Sequence, residues 1–200
     1  MKAINTILLS ESTHSSQLIN MALAGSEYHL VYEAKKLMAL INADIKTPEL
    51  IILCIKAPDE PLLNQLTRVQ EQYPLPVVIF TKSDGSEAIE SAIQAGVSAY
   101  VVDGLSENRV LPILRTALAR FKQNLSVKKE LNKLRETLAD RKVIDRAKGI
   151  VMAERKCTED EAYTMLRTSA MNQNMRLAKL AQSVIDSTEL LNSANLDKVI

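Results

Sequence analysis

The sequence predicts a doubly wound α/β domain with a five-stranded parallel sheet, followed by a long coiled-coil helix and an all-α three-helix bundle. Three observations carry that prediction. From residue 5 to about 120, apolar strand-like runs alternate with helical patterns. Proline is then absent after Pro112 and glycine absent from Gly104 until Gly149, so little interrupts a helix. Between Arg141 and Leu191, three amphipathic stripes follow one another with clear punctuation. The expected domains are 1–121 (sheet), 122–140 (linking helix), 141–192 (bundle) and 193–200 (tail).

The strand-like runs are Thr6–Leu9, Tyr28–Tyr32, Leu50–Ile55, Val77–Thr81 and Ala99–Val102, with helices expected near 14–24, 34–42, 60–72, 85–95 and 106–120. Leu50-Ile51-Ile52-Leu53 and Val77-Val78-Ile79-Phe80 are continuously apolar, as central strands buried on both faces must be. Ser106 is placed to cap the last of these helices, and Asp59 reads as a turn residue. Beyond it, Leu131, Leu134 and Leu138 recur at spacings of three and four, among Lys128, Lys129, Glu130, Lys133, Arg135 and Glu136. A leucine stripe without a partner would face water, so it reads as a dimerising seam rather than a lone linker helix.

In the bundle, Val143, Ile144, Ala147 and Val151 form the first stripe, with Arg141, Lys142, Arg146, Lys148 and Arg155 opposite. Thr158 followed by Glu161 is a capping box that opens the second helix ahead of Ala162, Leu166 and Ala170. Leu177, Leu180, Ala181, Val184, Ile185 and Thr188 form the third stripe. Met152, Met165, Met171 and Met175 are expected to fill gaps in the core. Gly149 stands mid-helix, where glycine costs about 1 kcal/mol against alanine. A close helix approach would explain it.

Composition narrows the function classes. Apolar content of 46% with 24% charged residues fits a globular chain, and no apolar run approaches the length of a membrane span. The apolar stretch of MKAINTILLSES is too short for a signal peptide, and two distant cysteines, Cys54 and Cys157, suit a reduced cytoplasm. Charge divides unevenly. Residues 1–120 hold 10 Lys+Arg against 13 Asp+Glu, net −3, and residues 121–200 hold 15 against 11, net +4. That basic excess fits either RNA contact or a solvated helical face. There is no glycine-rich phosphate loop and no nucleophile elbow, and His14 and His29 have no ligand-spaced partner. No enzyme, metal or cofactor is expected.

Pro48-Glu49-Leu50-Ile51-Ile52-Leu53-Cys54, Phe80-Thr81 and Ala95-Gly96-Val97-Ser98-Ala99-Tyr100 resemble a response-regulator receiver domain, which has a flavodoxin-like sheet. An active receiver carries an acidic pair, a phosphoacceptor aspartate, a threonine and a lysine at the strand ends. Here the matching positions are Ser10-Glu11, Cys54, Thr81 and Asp103, and only Thr81 fits. Magnesium prefers several hard oxygen ligands, and Cys54 has no carboxylate to form an acyl phosphate. The half reads as a pseudoreceiver with a degenerate phosphorylation pocket.

Ala147-Lys148-Gly149-Ile150-Val151-Met152, Thr158-Glu159-Asp160-Glu161-Ala162-Tyr163 and Leu166-Arg167 resemble the ANTAR domain, the RNA-binding output of AmiR- and NasR-type antiterminators. Together with Tyr100–Leu105 and Pro112-Ile113-Leu114, the whole arrangement is similar to NasT-like nitrate antiterminators. That resemblance implies binding to paired leader RNA stem-loops, relief of a terminator upstream of nitrate or nitrite assimilation genes, and a nitrate-sensing, solute-binding-like partner protein. Lys142, Arg146, Lys148, Arg167, Arg176 and Lys179 are candidate phosphate contacts, and Tyr163 a candidate base stack. Arg167 equally suits a bracing ion pair, and Tyr163 the core. A DNA-binding response regulator or a protein-interaction adaptor are the alternatives. The absence of a glycine-containing turn before the third helix speaks against the former.

Overall fold

The computed structural model describes residues 3–35 and 48–196. It divides into two compact units, Met1–Ser126 and Val127–Ile200. Most of the helix expected at 34–42, and residues 197–200 of the expected tail, lie outside the described residues; Ala34 itself ends a strand.

In the first unit, strands β1 (Ile4–Ser10), β2 (Tyr28–Ala34), β3 (Leu50–Cys54), β4 (Val77–Thr81) and β5 (Ala99–Val102) form one parallel sheet in the order β2-β1-β3-β4-β5. Helices α1 (Thr13–Leu23), α2 (Glu60–Gln72) and α3 (Ser86–Gln94) alternate with the strands, and α4 (Glu107–Arg155) follows β5. Because successive residues of a strand point to opposite faces, each apolar run feeds two cores. Leu50, Ile52 and Cys54 of β3 join Ile19 and Leu23 of α1 and Val110, Leu114 and Ala117 of α4. Ile51 and Leu53 face the other way, with Leu66 of α2 and Ala92 of α3. Such burial on both faces is what the continuous apolar runs encode.

Local caps set the helix starts. Asp59 is more than a turn residue, because its carboxylate accepts the Leu62 N–H at 3.0 Å at the start of α2. Ser106 behaves differently from expectation. Its carbonyl accepts the Arg109 and Val110 N–H groups, while its hydroxyl goes to Asn108 Oδ1 at 3.1 Å. Gly104 has a steric cause: a Cβ there would collide with Val101 Cγ1.

In the second unit, the C-terminal part of α4 packs with α5 (Glu159–Asn172) and α6 (Leu177–Leu196). Ala147, Leu166, Ala170, Leu180, Ala181 and Ile185 form its buried centre. Small alanines on all three helices keep the core thin, so Met165 and Met171 are left exposed rather than buried. They lie off the Ala162–Leu166–Ala170 stripe, and Met152 and Met175 are half-buried. Gly149 also departs from expectation: it is exposed, and a Cβ there would meet nothing of this chain within 4 Å.

The capping box forms as its spacing predicts. Glu161 N–H donates to Thr158 Oγ1 at 3.4 Å, and Thr158 N–H donates to Glu161 Oε2 at 2.9 Å. Thr158→Ala is expected to destabilise the bundle by about 1 kcal/mol. Thermal unfolding indistinguishable from the wild-type chain would remove the box from the account of α5. The helices end on left-handed residues without glycine, Lys156 after α4 and Asn174 after α5, each at φ 51°. The turn from α5 to α6 is therefore tight although it contains no glycine, which removes the turn argument against a helix-turn-helix reading.

Candidate nucleic-acid interface and degenerate receiver pocket

Among the basic candidates on α4, two are held by carboxylates. Lys148 is only 15% exposed; its Nζ lies 2.7 Å from Asp145 Oδ1 and 2.6 Å from Glu159 Oε1. Glu159 is the first residue of α5, so this one ammonium ties α4 to the start of the next helix. Arg146 Nη2 meets Glu189 Oε1 of α6 at 2.6 Å across an exposed surface, a kind of pair that adds little stability. Lys142 is exposed and has no ion-pair partner among the described residues.

The geometry gives Lys148 a defined titration. Hydrogen bonding to Asp145 and then to Glu159 raises its pKa above the usual 10.5. The same contact, led by the Lys148 hydrogen bond, lowers Asp145 below 3.8. Glu161 falls below 4.5 through the Thr158 N–H and then its hydroxyl. The raised lysine contributes stability that is fully present below pH 10.5 and lost as pH rises through its folded value. The depressed carboxylates contribute above their ordinary values and lose that contribution as pH falls through the folded ones. Bundle stability should therefore be flat from about pH 5 to 10 and decline on either side. Lys148→Met should lower the melting temperature by a few degrees at neutral pH and flatten the alkaline limb. An alkaline limb identical to wild type would exclude Lys148 as its source.

Arg167, Arg176 and Lys179 differ from the α4 pair. All three are exposed, and none meets a carboxylate among the described residues. For Arg167 the bracing ion pair is therefore absent there. Arg176 accepts the Leu180 N–H through its carbonyl at the head of α6, and Lys179 lies in that helix's first turn, which contains no acidic residue. Cations at a helix N-terminus oppose the helix dipole, whereas an anion there is favoured. Tyr163 is not core; its ring is 41% exposed and stands one turn before Arg167 on α5.

The first unit's candidate residues gather at the carboxyl ends of the strands, beside the β1/β3 reversal of strand order where such folds place ligands. Glu11, Cys54, Thr81 and Asp103 line a cavity of about 710 Å³ together with His14, Lys56 and Lys82. Ser10 is buried, with its hydroxyl donated to the Ser12 carbonyl at 2.8 Å. Glu11 Oε2 accepts the Lys56 N–H at 3.0 Å. The Thr81 hydroxyl donates to the Lys56 carbonyl at 2.7 Å and accepts the Ser83 N–H at 3.1 Å. Asp103 takes a left-handed conformation, φ 46°. Burial pushes the Cys54 thiol up to about 12, which keeps it protonated and a poor nucleophile. Lys56 and Lys82 escaped the sequence reading, although they stand within two residues of the strand-end positions Cys54 and Thr81 that mark this pocket. Among the described residues no group of three or more His, Cys, Asp or Glu could hold a metal, and no helix is long and apolar enough to cross a membrane.

Comparison with known proteins agrees with this division. The first unit has the fold of a response regulator from Thermotoga maritima, with TM-score 0.52 at 14% identity, covering 58% of this chain and 98% of that one. The family model described as ANTAR domain matches residues 132–185. The chain therefore carries a unit with a receiver-like fold and a C-terminal region that matches the ANTAR model, a match that begins within the leucine-bearing stretch. The chain is 26% identical over 161 residues to the transcriptional regulatory protein PdtaR of Mycobacterium tuberculosis, covering 80% of this chain and 78% of that protein. It is 28% identical over 79 residues to a nitrate regulatory protein of Klebsiella oxytoca, covering 40% of this chain and 19% of that protein.

Proposed function

We propose that this protein is a cytoplasmic transcription antiterminator whose ANTAR domain binds paired hairpins in a leader transcript and prevents a terminator hairpin from forming. The observation that carries the reading is the placement of Arg176 and Lys179 at the head of α6, with Arg167 and Tyr163 on α5 and no carboxylate opposing the three cations among the described residues. Structured RNA is read through phosphates, shape and unstacked loop bases, which suits cations at a helix N-terminus together with an exposed aromatic ring on the preceding helix. Lys142 extends the basic surface along α4, with Arg146 and Lys148 contributing charge already shared with carboxylates.

Control of nitrate or nitrite assimilation genes and a nitrate-sensing, solute-binding-like partner are the finer part of the proposal. Similarity to the Klebsiella oxytoca nitrate regulatory protein over 79 residues supports it. The acting form is a homodimer joined through Leu131, Leu134 and Leu138, whose side chains are exposed on α4. Phosphorylation is not the signal, because the receiver pocket holds Cys54 where an acceptor aspartate would stand.

A gel-shift titration with a two-hairpin leader RNA against a scrambled hairpin of equal length tests the output. Selective, salt-sensitive binding in the submicromolar range is expected, with weaker binding to duplex DNA. Equal and weak binding to every nucleic acid would sink the RNA reading.

A further inference from the structure

We propose that the degenerate pocket of the first unit binds a small zwitterion, an α-amino acid with an apolar side chain. Lys56 and Lys82 hold its carboxylate, and Asp103 holds its ammonium. This input needs no nucleic acid and no second chain, so it stands or falls apart from the RNA reading.

Backbone contacts, not attraction between the side chains, bring the three charged residues together. The Thr81 hydroxyl donates to the Lys56 carbonyl at 2.7 Å, and the Asp103 N–H donates to the Thr81 carbonyl at 3.0 Å. Just beneath, the Ile55 N–H donates to the Phe80 carbonyl at 3.1 Å and closes the ends of β3 and β4 on each other. Lys56, Lys82 and Asp103 therefore follow the ends of three neighbouring strands, which lie about 4.8 Å apart from one to the next. All three side chains are exposed and line the same cavity of about 710 Å³.

The charges are opposite, yet they do not pair with one another. Among the described residues neither ammonium forms an ion pair, and the Asp103 carboxylate accepts no hydrogen bond. Glu11, the other carboxylate on this cavity, is already engaged by the Lys56 N–H at 3.0 Å. Two cations beyond β3 and β4 thus stand beside one anion beyond β5, each open to a ligand. A simple anion would satisfy the lysines but be repelled by Asp103, and a simple cation would meet the reverse. A molecule with a carboxylate and an ammonium on one carbon satisfies all three through charge-assisted hydrogen bonds, which are the strong ones.

Much of the remaining wall is apolar. Leu18 of α1 and Leu105 after β5 are half-buried, Phe80 is buried, and all three line the cavity. An uncharged side chain laid against them leaves water, which favours binding. A few convergent polar groups in an apolar cleft of roughly 300–1,000 Å³ are the usual composition of a small-molecule site.

Calorimetric titration of the full chain at neutral pH with L-leucine, L-methionine and L-phenylalanine tests the proposal. At least one should bind with a Kd near about 0.1 mM. For leucine, 4-methylpentanoate lacks the ammonium and 3-methylbutylamine lacks the carboxylate; each should bind at least roughly tenfold more weakly. D103N should reduce the amino acid to the affinity of the acid, and K56M/K82M to that of the amine. These side chains are exposed, and asparagine tolerates the left-handed backbone at 103, φ 46°, so melting temperatures should stay within a few degrees. Equal affinity for acid and amino acid, or inorganic phosphate bound more tightly than either, would make this an anion site and overturn the proposal. Tight binding of the amine alone would overturn it as a cation site. Failure of all three amino acids to bind at about 10 mM, or undiminished binding by folded D103N, would overturn it outright.

Discussion

Charge reversal of Arg167, Arg176 and Lys179 together is expected to lower affinity for a two-hairpin RNA by roughly a hundredfold at low salt. If each cation meets one phosphate, the slope of log affinity against log salt should also fall by about two to three. The fold should survive, because all three side chains are exposed and none meets a carboxylate among the described residues. Glutamate at 176 and 179 should even favour α6, since its first turn holds no acidic residue and the dipole prefers negative charge there. A variant with undiminished helicity, a higher melting temperature and lost RNA affinity would separate recognition from stability. Undiminished affinity would move the interface elsewhere.

Cys54→Asp is the second large effect. The substitution looks like a repair of the phosphoacceptor site, yet it should destabilise the first unit by about 3–5 kcal/mol without restoring phosphorylation. Cys54 is buried among Leu8, Ile52, Val78 and Phe80, and the burial that pushes its thiol up to about 12 would act on a carboxylate in the same sense. No acidic pair waits to bring magnesium, because Ser10 is turned to the Ser12 carbonyl and Glu11 accepts the Lys56 N–H. Asp103 adds negative charge where phosphoryl oxygens need a cation. Incubation with acetyl phosphate and magnesium should leave both the wild-type chain and C54D without a hydroxylamine-sensitive adduct. A stable, readily phosphorylated C54D would show that one residue alone silences the pocket.

The same two regions show how far the sequence carries and where it stops. The sheet was legible because parallel strands buried on both faces must be continuously apolar, as Leu50–Leu53 and Val77–Phe80 are. The capping box at Thr158 and Glu161 was legible because it needs residue types at a fixed separation of three. The turn after α5 was not, because Asn174 takes the left-handed conformation for which glycine is the usual marker. The methionines misled for a related reason: apolar character predicts burial only when the residue lies on the inward stripe, and Met165 and Met171 do not.

Charged residues divide most sharply. Sequence placed Lys142, Arg146, Lys148, Arg167, Arg176 and Lys179 on one bundle as candidate phosphate contacts, with an ion pair as the alternative for Arg167. Lys148 is in fact held between Asp145 and Glu159, and Arg146 faces Glu189, whereas the other four have no carboxylate against them among the described residues. Glu159 and Glu189 lie 11 and 43 residues from their partners, so no local spacing announces them. Periodicity, caps and motif spacing are local properties of a chain, and from them the sequence by itself determined two domains, a parallel sheet, a long helix and a three-helix bundle. Which cations remain open to a phosphate, and whether a glycine is crowded or bare, depends on distant residues meeting in space. Only the tertiary structure decides that.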